Sequence, residues 1–175
     1  LVEELDDNVE LPVQVTIASG FTKGDKLEFI TQKVTELGAN QIWGFPADWS
    51  VAKWDGKKLE KKVEKLEKIA LGAAEQSKRN FVPSITLFEK KADFLAQLSQ
   101  FDRIVVAYEE SAKEGESAAL IQAVAGLEKG AKLLFIFGPE GGLSPAEIES
   151  FEAKGAVLAG LGPRILRAET APLYA

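Results

Sequence analysis

The stretch FIFGPEGGLSPAEIESFEAKG, residues 135–155, carries the end of a strand, a glycine-rich turn and the start of a helix in one short span. Lys132–Phe137 is an apolar run of the kind buried on both faces of a sheet. Ser144 reads as a helix N-cap, Pro145 as the first helical residue, and Glu147 as the residue that returns a hydrogen bond to the cap. A glycine loop between strand and helix commonly cradles phosphate. This one lacks the Gly-Lys-Ser/Thr ending, and Glu140 would repel a polyphosphate. A carboxylate suits ribose hydroxyls or a cationic ligand, while Gly138, Gly141 and Gly142 let the backbone approach a flat or polar one. A structural turn with Glu140 in water stands equally beside that reading.

Working outward, strand and helix signals alternate. Residues 11–20 read as a strand, with Val13, Val15 and Ile17 at period two. Thr22 is expected to cap a helix bearing Leu27, Ile30, Val34 and Leu37 on one face and closed by Gly38. An apolar run at Gln41–Phe45 follows, then a long helix from about Lys57 to Lys78 and a strand Ser84–Phe88. Asp93–Ser99 reads as a short helix, Arg103–Tyr108 as a buried strand, Ser117–Leu127 as a helix and Ala156–Leu161 as a last strand. Such an alternation predicts an α/β fold, a parallel sheet flanked by helices, in one domain. Ligands of such sheets bind beyond the carboxyl ends of the strands. The loops after Tyr108, Phe137 and Leu161 are therefore the ones to inspect.

Composition removes several chemistries. The 175 residues include no Cys and no His, which excludes disulfides, the usual zinc sites, cysteine nucleophiles and imidazole catalysis in this chain. No apolar run approaches membrane-spanning length and the first ten residues are acidic, so a cytoplasmic protein without membrane or metal is expected. The net charge of −6 argues mildly against a broad nucleic-acid surface. Between Lys53 and Arg79, however, nine basic residues face five acidic ones. The plain reading is a solvated helix face stitched by i,i+4 pairs, and the other is a binding stripe.

The second informative stretch is VLAGLGPRILRAETAPLYA, residues 157–175. Arg164, Arg167, Glu169 and Thr170 crowd behind a buried strand, and Thr170 is placed to cap a final helix. The arginines suit the grip of a phosphate or carboxylate, or else one of them clamps Glu169.

GPEGGLSPAEIE followed by LGPRILRAETA resembles the signature pair of the ribosomal RNA small-subunit methyltransferase E family, in the SPOUT class. KGDKLEFITQKVTELG (23–38) and AAEQSKRNFVP (73–83) resemble the same family, so the likeness covers the chain from about residue 11. The resemblance implies a C-terminal trefoil knot, S-adenosylmethionine as cofactor, a homodimer, and methylation of a uridine of 16S ribosomal RNA at N3, on naked RNA or the assembled 30S subunit. It assigns cofactor binding to Tyr108, Glu109, Gly138, Pro139, Glu140, Gly141, Gly142, Leu161, Gly162, Arg164, Ile165 and Leu166. Arg164 and Arg167 would stabilise a uridine anion, with Glu169 as a candidate base, and Arg79, Lys78 and Arg167 would contact RNA. Residues 1–10 would be the remnant of, or linker from, a PUA-like RNA-binding domain, with 11–175 the methyltransferase domain and its final helix shortened. Two other readings are a nucleotide-binding protein that transfers no methyl group and a catalytically idle RNA-binding dimer.

Overall fold

The computed structural model of the chain describes residues 8–108 and 117–175. The strands are β1 (Gln14–Gly20), β2 (Gln41–Phe45), β3 (Ser84–Leu87), β4 (Arg103–Ala107), β5 (Lys132–Phe137) and β6 (Val157–Ala159). The helices are α1 (Lys26–Glu36), α2 (Gly56–Gln76), α3 (Lys91–Ala96), α4 (Ser117–Val124), α5 (Pro145–Ala153) and α6 (Ala171–Tyr174), with one 3-10 turn at Leu98–Gln100. All strand pairs are parallel and form one sheet in the order β3-β2-β1-β5-β4-β6. The expected parallel sheet flanked by helices is thus the observed architecture.

Period-two alternation divides the core into two layers. Ile17, Ile42, Val105, Leu133, Phe135 and Phe137 face α1, α2 and α6, while Ala18, Trp43, Phe45, Ile104, Val106, Leu134 and Ile136 face α3 and α5. The second layer is aromatic at its centre. Phe45 stacks on Phe94 at 4.3 Å, and Phe151 meets both rings edge-on. Both faces of the central strands are therefore dry, which is why their sequences are nearly continuous apolar runs. No helix among the described residues is long and apolar enough to cross a membrane.

Three helices end in one closure. After α1, Gly38 (φ 106°) turns the chain so that Ala39 N–H reaches Val34 C=O at 2.9 Å, and after α5, Gly155 (φ 89°) lets Ala156 N–H reach Phe151 C=O at 3.1 Å. The end of α2 does the same without glycine, because Lys78 takes φ 59° and Arg79 N–H bonds Ala74 C=O at 2.9 Å. A side chain in that conformation costs about 1–2 kcal/mol.

Two expected caps differ. Helix α1 begins at Lys26 with Asp25 in the cap position, and Thr22 is wholly buried four residues before it. The intervening Lys23–Gly24 turn is used instead to reach the loop after β5. Thr170 stands at the N-cap of α6 with helical backbone angles and makes no side-chain capping bond.

Candidate functional site

A cavity of about 610 Å³ opens at the carboxyl ends of β4, β5 and β6. Ala107 and Tyr108 close one side, Phe137–Leu143 form the second wall, and Leu161, Gly162 and Arg164–Glu169 form the third. Lys26, the first residue of α1, and Trp49, in the β2–α2 connection, reach the rim. Its size suits a small organic ligand.

The wall after β5 is built on its glycines. A Cβ on Gly138 would stand 2.9 Å from the backbone carbon of Gly142 and 3.0 Å from Leu143 N, so the loop folds back on itself only without a side chain there. Gly142 N–H closes a turn onto Pro139 C=O at 2.8 Å with φ 80°. The capping box read from the sequence is present, with Glu147 N–H donating to Ser144 Oγ at 3.1 Å and Ser144 N–H to Glu147 Oε1 at 2.9 Å.

A polar cluster locks this helix start to the rest of the domain. Ser144 Oγ donates to Asp48, Asp48 N–H donates to Glu147 Oε2 at 3.1 Å, and Lys91 pairs with both Asp48 and Glu147. Hydrogen bonds from Lys91 and then Ser144 hold the Asp48 carboxyl below its ordinary range against the opposing effect of burial. Burial pushes the Lys91 ammonium downward, and its bonds to Asp48 and Glu147 outweigh that and hold it above its ordinary range.

Glu140 is neither a free ligand group nor a carboxylate left in water. Its Oε1 accepts from Lys23 N–H and from Lys26 Nζ, each at 2.8 Å, tying the loop to the β1–α1 turn. Burial raises this carboxyl, and the Lys26 and Lys23 hydrogen bonds more than offset it, leaving it below the usual range.

The third wall is differently made. Gly162 turns with φ 91°, and the Arg167 carbonyl accepts from Thr170 and Ala171 N–H at 2.9 and 3.0 Å, so α6 fixes the backbone. The side chains are uncommitted. Arg164 and Arg167 are exposed and pair with no carboxylate among the described residues, so neither clamps Glu169. Glu169 Oε2 is buried without a hydrogen-bond partner among them.

Of the residues assigned from the sequence, Tyr108, Gly138–Gly142, Leu161, Gly162 and Arg164–Leu166 all line this cavity, as do Arg167 and Glu169. Glu109 lies outside the described residues. Arg79 is a correction. It is buried at the opposite, amino-terminal end of the strands, and all five of its N–H donors are used internally, on both oxygens of Glu10 and on the carbonyls of Thr35, Gly38 and Ala39. It has none to offer RNA. The same bonds fasten Glu10 to the end of α1. Lys78 beside it is exposed.

Part of the basic run on α2 is structural as well. Lys62 and Lys65 converge on the buried Glu28 of α1, with Lys62 4.6 Å above the Trp54 ring. Sequence reasoning missed Lys26 and Trp49, which reach the cavity from the start of α1 and from the β2–α2 connection, far away in the chain. A tryptophan in a Pro-Ala-Asp-Trp-Ser loop, outside any periodic segment, was the available signal. Among the described residues no group of three or more acidic side chains is placed to hold a metal ion.

The chain matches the model of an RNA methyltransferase domain over residues 9–175. It is 53% identical over its whole length to the ribosomal RNA small subunit methyltransferase E of Bacillus subtilis, of which it spans 68%. The crystal structure of a ribosomal RNA small subunit methyltransferase E from Neisseria gonorrhoeae bound to S-adenosyl methionine superposes with a TM-score of 0.78 at 28% identity, covering 97% of this chain and 66% of that one. A methyltransferase from Legionella pneumophila in complex with the cofactor SAM gives 0.79 at 28% identity, covering 95% and 65%. With a parallel sheet, a glycine-built cavity at its carboxyl edge and a match running almost from end to end, the chain belongs to the RNA methyltransferase domain family.

Proposed function

We propose that this chain transfers a methyl group from S-adenosylmethionine to N3 of a uridine in 16S ribosomal RNA, within the small subunit or as free RNA. One observation carries the reading: the GPEGG loop and the GPRILRAE segment, the two stretches most like methyltransferase E, face each other across a single cavity. The relatives and the cofactor-bound neighbours support it.

The residues present fit the cofactor. The cavity has a suitable volume, and its β5 wall is backbone rather than side chain at Gly138 and Gly142. The Glu140–Lys26 pair presents little net charge, so the site does not depend on Glu140 to attract a cation.

S-adenosylmethionine, when bound, supplies an electrophilic methyl group on a sulfonium. The residues 138–142 and 161–166 would hold it between backbone walls, and the domain supplies the rest by positioning and charge. Uridine N3 becomes nucleophilic on losing its proton. Arg164 and Arg167, both exposed and without carboxylate partners among the described residues, would stabilise the resulting anion or its flanking phosphate, and Glu169 would accept the proton at its unpaired oxygen. No cysteine adduct is needed for attack by nitrogen, and the chain has no Cys.

Lys78 sits at the far end of the sheet from the cavity, so an RNA that touches both it and Arg167 must span the domain. The exposed Ile165 and Tyr174 beside the third wall support a homodimer in which a second copy covers them, and we take the segment after β6 to thread the trefoil knot of the SPOUT class.

Calorimetry with S-adenosylmethionine and with ATP, followed by transfer of labelled methyl to 16S ribosomal RNA and mapping of the modified base, tests the proposal. Binding of S-adenosylmethionine and label at a uridine N3 are expected. Retention of ATP alone, or RNA binding without transfer, would overturn it in favour of a nucleotide-binding protein or an idle RNA-binding dimer.

A further inference from the structure

The three tryptophans of the chain are used in two ways. Trp43 lies in β2 with Phe88, Phe94 and Phe101 packed edge-on around it, and Trp54 packs on Phe21 at 4.6 Å. Both are buried, at 4% and 8% exposure. Trp49 is 50% exposed, at the rim of the cavity. Among the described residues its indole has no ring partner and donates no hydrogen bond.

A single exposed aromatic is unremarkable by itself. This one is held in place. The preceding residue, Asp48, is tied by Lys91, Ser144 and Glu147, and Ser50 N–H closes a turn on Ala47 C=O at 3.0 Å. Trp49 Cβ and its carbonyl press on the GPEGG loop so closely that a Cβ on Gly141 would come within 3.2 Å of each. A fixed backbone therefore presents an uncommitted ring beside the place where, on the function proposed above, a uridine must be delivered.

We infer that Trp49 is a stacking platform for a nucleobase of the RNA substrate, holding it flat at the cavity mouth next to the methyl donor site. Sequence-specific RNA recognition takes splayed bases onto aromatic faces, and such stacking is indifferent to the rest of the fold. Trp49 reaches the rim of the cavity, and half of its surface is open to the solvent from which the substrate arrives. Trp49 is thus a positioning residue for the substrate.

Because Trp43 and Trp54 are buried, quenching of tryptophan emission by a short oligouridylate reports on Trp49. Quenching is expected with oligouridylate and not with an abasic ribose-phosphate strand of equal length. Trp49→Ala should weaken oligouridylate binding about tenfold or more, Trp49→Phe should restore most of it, and S-adenosylmethionine affinity should be the same in all three. Thermal unfolding establishes that both variants are folded. Unchanged oligouridylate affinity in Trp49→Ala, an equal loss for the abasic strand, or a parallel loss of S-adenosylmethionine affinity that marks stacking on the cofactor's adenine would each overturn the inference. Failure of the unaltered chain to bind S-adenosylmethionine at all would sink the proposed function instead, and the quenching experiment would still read Trp49.

Discussion

Arg79 at the amino-terminal end of the strands and the Arg164–Arg167 pair at the carboxyl end differ in everything except residue type. The first is buried and spends every donor on Glu10 and three carbonyls of the α1–β2 junction. The second two are exposed, on a backbone pinned by α6, with no ion pair among the described residues. One end of the sheet consumes its charges to close the fold. The other keeps them available above a cavity. Charge at one end of the sheet is therefore structural, and on the proposed function the exposed pair at the other is where a ligand's charge would be met.

The sharpest way to break that contrast is Arg79→Ala. It would leave the Glu10 carboxylate and the carbonyls of Thr35, Gly38 and Ala39 without their donor, a loss of about 3–5 kcal/mol in urea unfolding. A loss below about 1 kcal/mol would return Arg79 to the class of ordinary surface residues.

The complementary variants are Arg164→Ala and Arg167→Ala. At least one should slow single-turnover methyl transfer by about a hundredfold or more, as for removal of a charge-stabilising donor, while the urea midpoint stays put. Lysine at the same position should rescue only part, because it cannot reproduce the planar fork. Wild-type rates in both variants would make the two ends of the sheet alike after all.

Acid pH should separate the cavity wall from the core. Glu140 and Asp48 have folded pKa values held below those of the unfolded chain, so their contributions are present above the ordinary carboxylate range of about 4 and are lost as pH falls through the lower folded values. The loop after β5 should loosen in that window, seen as weaker S-adenosylmethionine binding whose pH dependence Lys26→Met reduces to the part carried by Asp48. A profile identical in wild type and Lys26→Met would remove the Glu140 latch from the site's support.

The smallest effect is expected at the residue beside Arg79. Lys78→Gly relieves a left-handed side chain and also loosens the unfolded chain, so the net gain should be about 0.5–1 kcal/mol, read as a higher urea midpoint with an unchanged slope. A loss would mean that Lys78 makes contacts that outweigh its strain.

Legibility in the sequence followed the distance over which each feature is decided. The β5–α5 unit was readable because its capping box closes within Ser144–Glu147, and the buried strands because alternation with helices implies two covered faces. Arg79 was not, since its carboxylate lies at Glu10, 69 positions away, and its carbonyl partners lie around Gly38. Thr22 failed as a cap because Lys23 N–H belongs to Glu140, 117 residues on. Lys26 at the start of α1 and Trp49 in the β2–α2 connection likewise join the cavity only when distant parts of the chain meet. Arg164 and Glu169 stand out in the sequence through their motif, whereas the exposure of the first and the unpartnered buried oxygen of the second among the described residues are visible only in three dimensions.

The third wall has a consequence for how the protein comes into being. Residues 161–169 are held by α6, whose Ala171 and Leu173 pack into the layer built by α1 and β5. During synthesis the sheet from β1 to β5 can collapse before this segment emerges, but the third wall is absent until residues 161–174 follow and dock against a helix made some 140 positions earlier. The cavity thus joins a wall encoded within a few residues, after β5, to one that closes late and through distant contacts. A ligand that bridges its walls would act as a fastener on that final step, adding stability in proportion to the logarithm of its concentration over its dissociation constant.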